Sequence, residues 1–597
     1  MARRILRPDM AVRQIARDWP ETRPIFERFG LAASRPPYGP LLSLEAFAKR
    51  QGIPLDQLLR ELAEAADADV ELTRNTVHRA FLATALFYAV FIGGGLGLWM
   101  AYAAGREGGY EFVPARHAFA HGVAQQWGFL TLFIVGIAFR WLPMATSADP
   151  PSRRLASLIV VLGALGAGFL YVWGHAEGLL PWLGPLGAAC LLGFALLVFA
   201  EFVRLTQVDQ KRQTWNTAII LGCCWLCVTG GLTSVFALTV VRHGPDAFDP
   251  FVRLLLADLP LVGFVVNCIY GFGLRILPPL VGGPVRQRYA PMCVLFHNVG
   301  VFTLLAGRLT AWPYTTALTA LFLVGAALLY LAALPRLKRP RVPSDRPEQG
   351  PRVSVWIIAA SFAWAVVGAG LYAVAGYVEF VSPLPTLAAI RVYGPGLAPM
   401  ALYDAARHAI TLGFMTGLII GVGSRLIPML EHRVLYCARA IPVAALCLET
   451  GVSLRIVGDV WSLVFGKQSL YVQSAAAILA LLGLALFGLA AVRTLWPPAD
   501  SLLKHGRVTE RTPVVLLLEE CPAVYEYLVR RGARYLARAR SVPPELTLGS
   551  MLRSEGLEVH ETLGELQRLV DACRSDQTVS GNEPRTPSSD AAAEGAK

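Results

Sequence analysis

From about residue 80 to residue 494 the chain alternates between long apolar runs and short polar breaks. Each run of 18 residues or more is long enough to cross a hydrocarbon core of about 30 Å. The pattern predicts twelve membrane helices, near 80–104, 117–142, 154–173, 183–205, 215–241, 251–278, 291–309, 313–334, 354–378, 401–428, 439–462 and 471–492. Both ends read differently. Residues 1–70 have the helical periodicity of a small soluble domain, with "SRPPYGP" as a turn between two helical stretches. Residues 508–572 repeat that plan: Pro20 to Gly30 and Pro522 to Gly532 are both ten residues, and Leu44 to Gly52 and Leu548 to Gly556 are both eight. Residues 575–597 are polar and read as a disordered tail. The expected fold is all-α, a polytopic membrane domain over 80–494 flanked by two small helical domains.

Within the membrane region one pattern occurs three times. Gly128-Phe129, Gly136, Arg140 and Pro143 are matched at identical spacing by Gly263-Phe264, Gly271, Arg275 and Pro278, and again by Gly413-Phe414, Gly421, Arg425 and Pro428. Each copy falls on the second helix of a group of four, so the twelve helices divide into units 80–205, 215–334 and 354–492. Three equivalent copies fit a scaffold. Arg140, Arg275 and Arg425 are expected to anchor the inner ends, the prolines to stop the helices and the glycines to allow close packing.

Composition narrows the class. With 55% hydrophobic and only 16% charged residues, the chain lacks the charged surface of a soluble protein of 597 residues. The net charge of +12 could suggest nucleic acid, but no basic run interleaved with aromatics supports that. The basic residues instead gather in the loops after even-numbered helices: Arg153 and Arg154, Lys211 and Arg212, Arg286 and Arg288, the block at 335–352, and Arg433 with Arg439. By the positive-inside rule both termini are cytoplasmic. The start "MARRILRPDM" lacks a signal-peptide core, which leaves targeting to the first helix. In "CCWLC", Cys223 and Cys227 share a helix face, which suits either small-residue packing or a soft metal.

The histidines carry the candidate chemistry. His78, His432, His505 and His560 lie outside apolar runs on the cytoplasmic side, and His175 and His243 fall in outer loops where water would solvate them. His117, His121, His297 and His408 remain. His121 is 19 residues from Arg140, about 28 Å along a helix, and His408 is 17 from Arg425, about 25 Å. Both therefore lie near the outer edge of the hydrocarbon, where a polar ring must be paired, hydrated or ligating. His117 and His121 share one face of the second helix, whereas His408 faces away from Gly413, so a site between the second and tenth helices is permitted. Neutral imidazole ligates haem iron and copper, which makes His117, His121 and His408 the candidate ligands. His297 lies deep on the other side as a packed or proton-path residue. Asp258, at the depth of His408, and Glu449, Arg455 and Asp459 in the eleventh helix suggest a proton or ion route, or buried pairing.

The stretches "RHAFAHGVAQQWGFLTLFIVGIAFRWLP" and "RHAITLGFMTGLIIGVGSRLIP" resemble the NnrS family and, more distantly, the catalytic subunit of haem-copper oxidases and nitric oxide reductases. The resemblance implies a twelve-helix inner-membrane protein that binds haem, of b type, and copper, and acts in nitric oxide metabolism or tolerance. It implies ligands among His117, His121 and His408, nitric oxide as a small gaseous partner beside membrane lipid, and no nucleic acid. The sequence departs from the oxidase pattern: Asp258 stands where a helix-6 histidine is expected, and no second histidine adjoins His408. The terminal domains resemble a small module of unknown function found on redox and nitrosative-stress proteins, without its cysteine pair, and are expected to contact a cytoplasmic protein partner. Two rival readings remain: a metal-free transporter or channel with Asp258 and Glu449 on its path, and a divergent oxidase-like catalytic subunit.

Overall fold

The computed structural model describes residues 5–29, 43–70, 76–107, 113–334, 353–381, 398–496, 507–536 and 546–580, apart from short stretches inside those ranges. Lys211, Arg212, the 335–352 block, Arg433, His432, His505 and the "SRPPYGP" turn lie outside the described residues. The apolar helices are α1 (Val77–Glu107), α2 (Ala115–Thr146), α3 (Arg153–His175), α4 (Leu183–Gln207), α5 (Thr214–His243), α6 (Val252–Pro278), α7 (Ala290–Thr310), α8 (Thr315–Ala333), α9 (Val353–Tyr377), α10 (Ala401–Glu431), α11 (Ala440–Trp461) and α12 (Tyr471–Leu495). Eleven are long and apolar enough to cross a membrane; α8 is a shorter apolar helix. The chain is an all-α polytopic membrane protein. Among the described residues, strand structure is confined to a two-residue parallel pair, Ile5–Leu6 with Asp69–Val70, and one isolated bridge.

Burial separates the helices into two sets. In their most apolar stretches α2, α6 and α10 are 83%, 78% and 72% buried, against 28–44% for the other eight spans. These three, each carrying the repeated sequence pattern, form the packed interior. The others present bulky apolar side chains such as Phe91, Val235, Leu321 and Trp356 outward, where lipid is the only inexpensive cover.

The repeated glycines have a shared structural reason. A Cβ on Gly128, Gly263 or Gly413 would overlap Tyr88 of α1, Trp225 of α5 or Trp364 of α9, the aromatic that the first helix of each unit lays against the second. The polar tip of that aromatic then reaches the third helix. Tyr88 donates to the Ala164 carbonyl (2.7 Å), Trp225 Nε1 to Asn298 Oδ1 (2.8 Å) and Trp364 Nε1 to Glu449 Oε2 (2.6 Å). At the same register all three inner helices widen into π-helix, over Ala124–Thr131, Pro260–Val266 and Ala409–Thr416, and α1 does so over Tyr88–Gly94. A π segment spaces its bonds one residue wider than an α-helix and is frequent at functional sites.

Three expectations from sequence are corrected here. Pro143 and Pro428 do not stop their helices, which continue to Thr146 and Glu431; proline is tolerated so near an end because few helical bonds depend on it. His78 does not fall outside the apolar helices: it is buried in α1, its Nε2 2.6 Å from Glu431 Oε1, and Arg79 closes on the other carboxylate oxygen at 2.5 Å. The last helix, Val559–Ser580, extends past the point where the tail was expected to begin. Arg140 donates to the Leu430 carbonyl at 3.3 Å and so joins α2 to the end of α10.

The terminal modules have separate apolar cores. Leu44–Arg50 and Leu548–Ser554 are seven-residue helices in matching register, and Leu44, Phe47, Leu62 and Ala66 are buried at the positions of Leu548, Met551, Leu566 and Val570. Backbone bonds match as well: Leu44 N–H donates to Met10 and Glu45 to Pro8, as Leu548 does to Thr512 and Gly549 to Glu510.

Candidate functional site

Consecutive residues of α10 point to different neighbours because a helix turns 100° per residue. Arg407 reaches α6 and closes on Asp258 with both guanidinium edges, Nε to Oδ1 at 2.7 Å and a terminal nitrogen to Oδ2 at 3.2 Å. His408 turns toward α1, α2 and α11. Its Nδ1 lies 2.9 Å from the Asp404 carbonyl and 3.4 Å from the Asp404 carboxylate. Asp404 in turn accepts from Arg455 of α11, Arg455 lies 3.4 Å from Asp459, and Gln473 of α12 bonds to both Arg455 and Asp459.

His121 comes to the same place from α2. Its Nδ1 is 2.8 Å from the carbonyl of Gly93, inside the π segment of α1. Its ring lies against Gly97, where a Cβ would collide with Cε1, so only glycine lets the imidazole approach α1 this closely. His121 and His408 share one neighbourhood, that of Asp404 and Arg455. The two rings are thus held alike. Each uses Nδ1 on a backbone carbonyl, and among the described residues neither Nε2 makes a hydrogen bond. Metal-ligating histidines are oriented this way, with one ring nitrogen fixed by a second group and the other left for the metal.

The other candidates go elsewhere. His117 is buried one turn further out, between Trp99 and His175, and does not share the setting of His121. His297 gives Nε2 to the Val262 carbonyl (2.7 Å) in the π segment of α6 and packs edge-on to Tyr270. Asp258 is held by Arg407, and Glu449 accepts from Trp364 as Asn298 does from Trp225 in the preceding unit. A cavity of about 50 Å³ lies beside the Asp258–Arg407 pair, walled mainly by apolar side chains such as Leu261, Leu304 and Ala369. Of the "CCWLC" cysteines Cys223 is buried, Cys227 half-buried and Cys224 exposed. Arg275 and Arg425 are half-buried near the C-terminal ends of α6 and α10.

Asp404, His408 and Asp459 are the one group of three metal-type donors within 4.8 Å of one another among the described residues. Arg455 already supplies positive charge to both carboxylates there, so the group reads as support for the Nδ1 side of His408. Sequence reading missed Asp404, Gly93 and Gly97. The i, i+4 spacing of Asp404 with His408, and of Arg455 with Asp459, was the available signal.

The family profile described as NnrS protein matches residues 75–498, the whole membrane domain. The chain belongs to the NnrS family. No curated protein sequence matches it. Among solved structures it is similar to a heme-copper terminal oxidase, determined as a dimer by cryo-electron microscopy, at 15% identity and a TM-score of 0.53, covering 85% of this chain and 100% of that one. This NnrS chain therefore shares the oxidase's membrane fold. Among the described residues, two imidazoles on α2 and α10, both oriented through Nδ1 with Nε2 available, fit haem iron.

Proposed function

We propose that this NnrS protein is a haem-binding protein of the bacterial inner membrane that acts in nitric oxide metabolism or nitrosative-stress tolerance, with His121 and His408 as its haem ligands. The observation that carries the proposal is the matched orientation of the two rings at the α1–α2–α10–α11 junction. The family and the oxidase fold support a haem or metal cofactor. The nitric oxide role rests on the family resemblance. Held there by His121 and His408, a b-type haem would supply a one-electron couple and an iron able to take a small gaseous ligand such as nitric oxide.

In this reading each protein group has a defined task. Gly93 and Asp404 fix the ring tautomers, Gly97 makes room for His121, and Arg455 with Gln473 holds the two carboxylates so that Asp404 stays turned toward His408. His117 is not part of this pair, and copper is not required by it. The twelve helices are three related four-helix units with both termini cytoplasmic, where the terminal domains meet a protein partner. The recurring aromatic–glycine contacts and the matching π segments support the threefold relation.

Nitric oxide added to the reduced, purified protein tests this. A shifted Soret band with a nitrosyl EPR signal is expected. A haem band that nitric oxide leaves unchanged contradicts the gas role, and the absence of haem contradicts the proposal as a whole.

A further inference from the structure

The cavity beside the Asp258–Arg407 pair lies where the second four-helix unit meets the third, between α6, α7, α8, α9 and α10. Two of the π segments shape it: Leu261 and Val262 come from the one in α6, and Ile410 from the one in α10. Gly368 lets α9 close on Ile410, since a Cβ there would stand 2.6 Å from the isoleucine, and the next residue, Ala369, is too small to fill the space. Where the first unit meets the second, the position matching Leu261 in the repeat is Gln126, whose side chain crosses to the Ala257 carbonyl at 2.7 Å. Leucine makes no such bridge, and the gap stays open. Each polar side chain on the wall already has a partner: Asp258 and Arg407 close on each other, and the Tyr372 hydroxyl is taken by Arg308. A buried water needs about two to four polar partners, so the cavity suits an apolar guest.

We propose that this cavity docks a small apolar gas of diatomic size, such as nitric oxide or dioxygen, on its approach to the His121–His408 pair. At about 50 Å³ it has room for one such molecule and not for a lipid tail. Apolar cavities stay dry and take up uncharged guests such as xenon. The way in is short. Ala320 and Leu323 of the wall belong to α8, the shorter apolar helix, whose Leu321 and Leu328 face outward where lipid lies. Nearly apolar gases leave water for hydrocarbon, so they collect on that side of α8. The way onward is also short, because Arg407 forms part of the wall and the next residue of α10 is His408. The docking stands on the cavity alone, whereas the approach to iron rests on the haem reading above.

Crystals of the full-length protein pressurised with xenon test the docking. One xenon is expected between Leu304 and Ala369 in the wild type, and none in Ala369→Leu, whose longer side chain fills the space. Flash photolysis of carbon monoxide from the reduced haem protein tests the approach. Ala369→Leu should slow binding and release of carbon monoxide by the same several-fold factor, leaving the equilibrium affinity and the Soret band as in the wild type. A merely structural disturbance would move the band or the affinity. Leu304→Ala, which enlarges the cavity, should keep the xenon and speed binding, and it decides the matter if the filled variant does not fold. A wild-type cavity that holds water, or takes no xenon, overturns the docking. Wild-type carbon monoxide rates in both variants overturn the approach. Absence of haem overturns the ligand reading and the approach together, and xenon still decides the docking.

Discussion

α10 makes two junctions through adjacent residues, and they are built in opposite ways. Toward α6, Arg407 and Asp258 close on each other and leave no charge to spare. Toward α1, α2 and α11, His408 and His121 are each anchored through one nitrogen and keep the other free. The Asp258 position corresponds in repeat register to His408, so one location in the fold holds a structural carboxylate in the second unit and a candidate ligand in the third. The difference teaches that depth in the membrane does not identify a functional group. A spare ring nitrogen beside a second ring held in the same way is the better guide.

The largest expected effect lies at the closed junction. Asp258→Ala leaves Arg407 buried without its carboxylate and should lower stability by about 3–5 kcal/mol, with Asp258→Ala/Arg407→Leu recovering most of that. Thermal unfolding in detergent measures both, and a single variant as stable as wild type would break the contrast. Gly413→Leu forces a side chain into Trp364, less than two turns along α10 from both junctions, and should cost about 1–3 kcal/mol. At the open junction, Asp404→Asn keeps the backbone carbonyl but weakens the support of His408. It should reduce haem affinity roughly 10–100-fold with little loss of fold, read by haem titration of the apoprotein. The smallest effect is expected for Glu449→Gln, which preserves the acceptor for Trp364 and should change stability by less than about 1 kcal/mol. If that variant abolished activity while remaining folded, Glu449 would belong to a pathway and the buried-pairing view of these carboxylates would fail.

The architecture was largely legible in the sequence because apolar length and spacing are local properties. The helix positions, the three-copy pattern on α2, α6 and α10 and the depth of His121 and His408 all follow from counting residues. The aromatic partners of the glycines do not, since Tyr88, Trp225 and Trp364 lie some 40–50 residues away on another helix. The π segments carry no strong sequence mark, and with them the Gly93 carbonyl that fixes His121 stayed hidden. Grouping His117 with His121 by helix face was reasonable from periodicity. It failed because α1 and α3 offer His117 the rings of Trp99 and His175. His78 and Glu431 are 353 residues apart, and only the fold shows that each is the other's partner.

The central claim is that the free nitrogens of His121 and His408 hold one haem. A visible absorption spectrum of the purified wild-type protein, beside His121→Ala, His408→Ala and His297→Ala, tests it most directly. The account predicts a Soret band in the wild type and in His297→Ala, and its loss or a marked shift in each of the other two. A band that survives unchanged in both His121→Ala and His408→Ala, or a wild type without one, would contradict it.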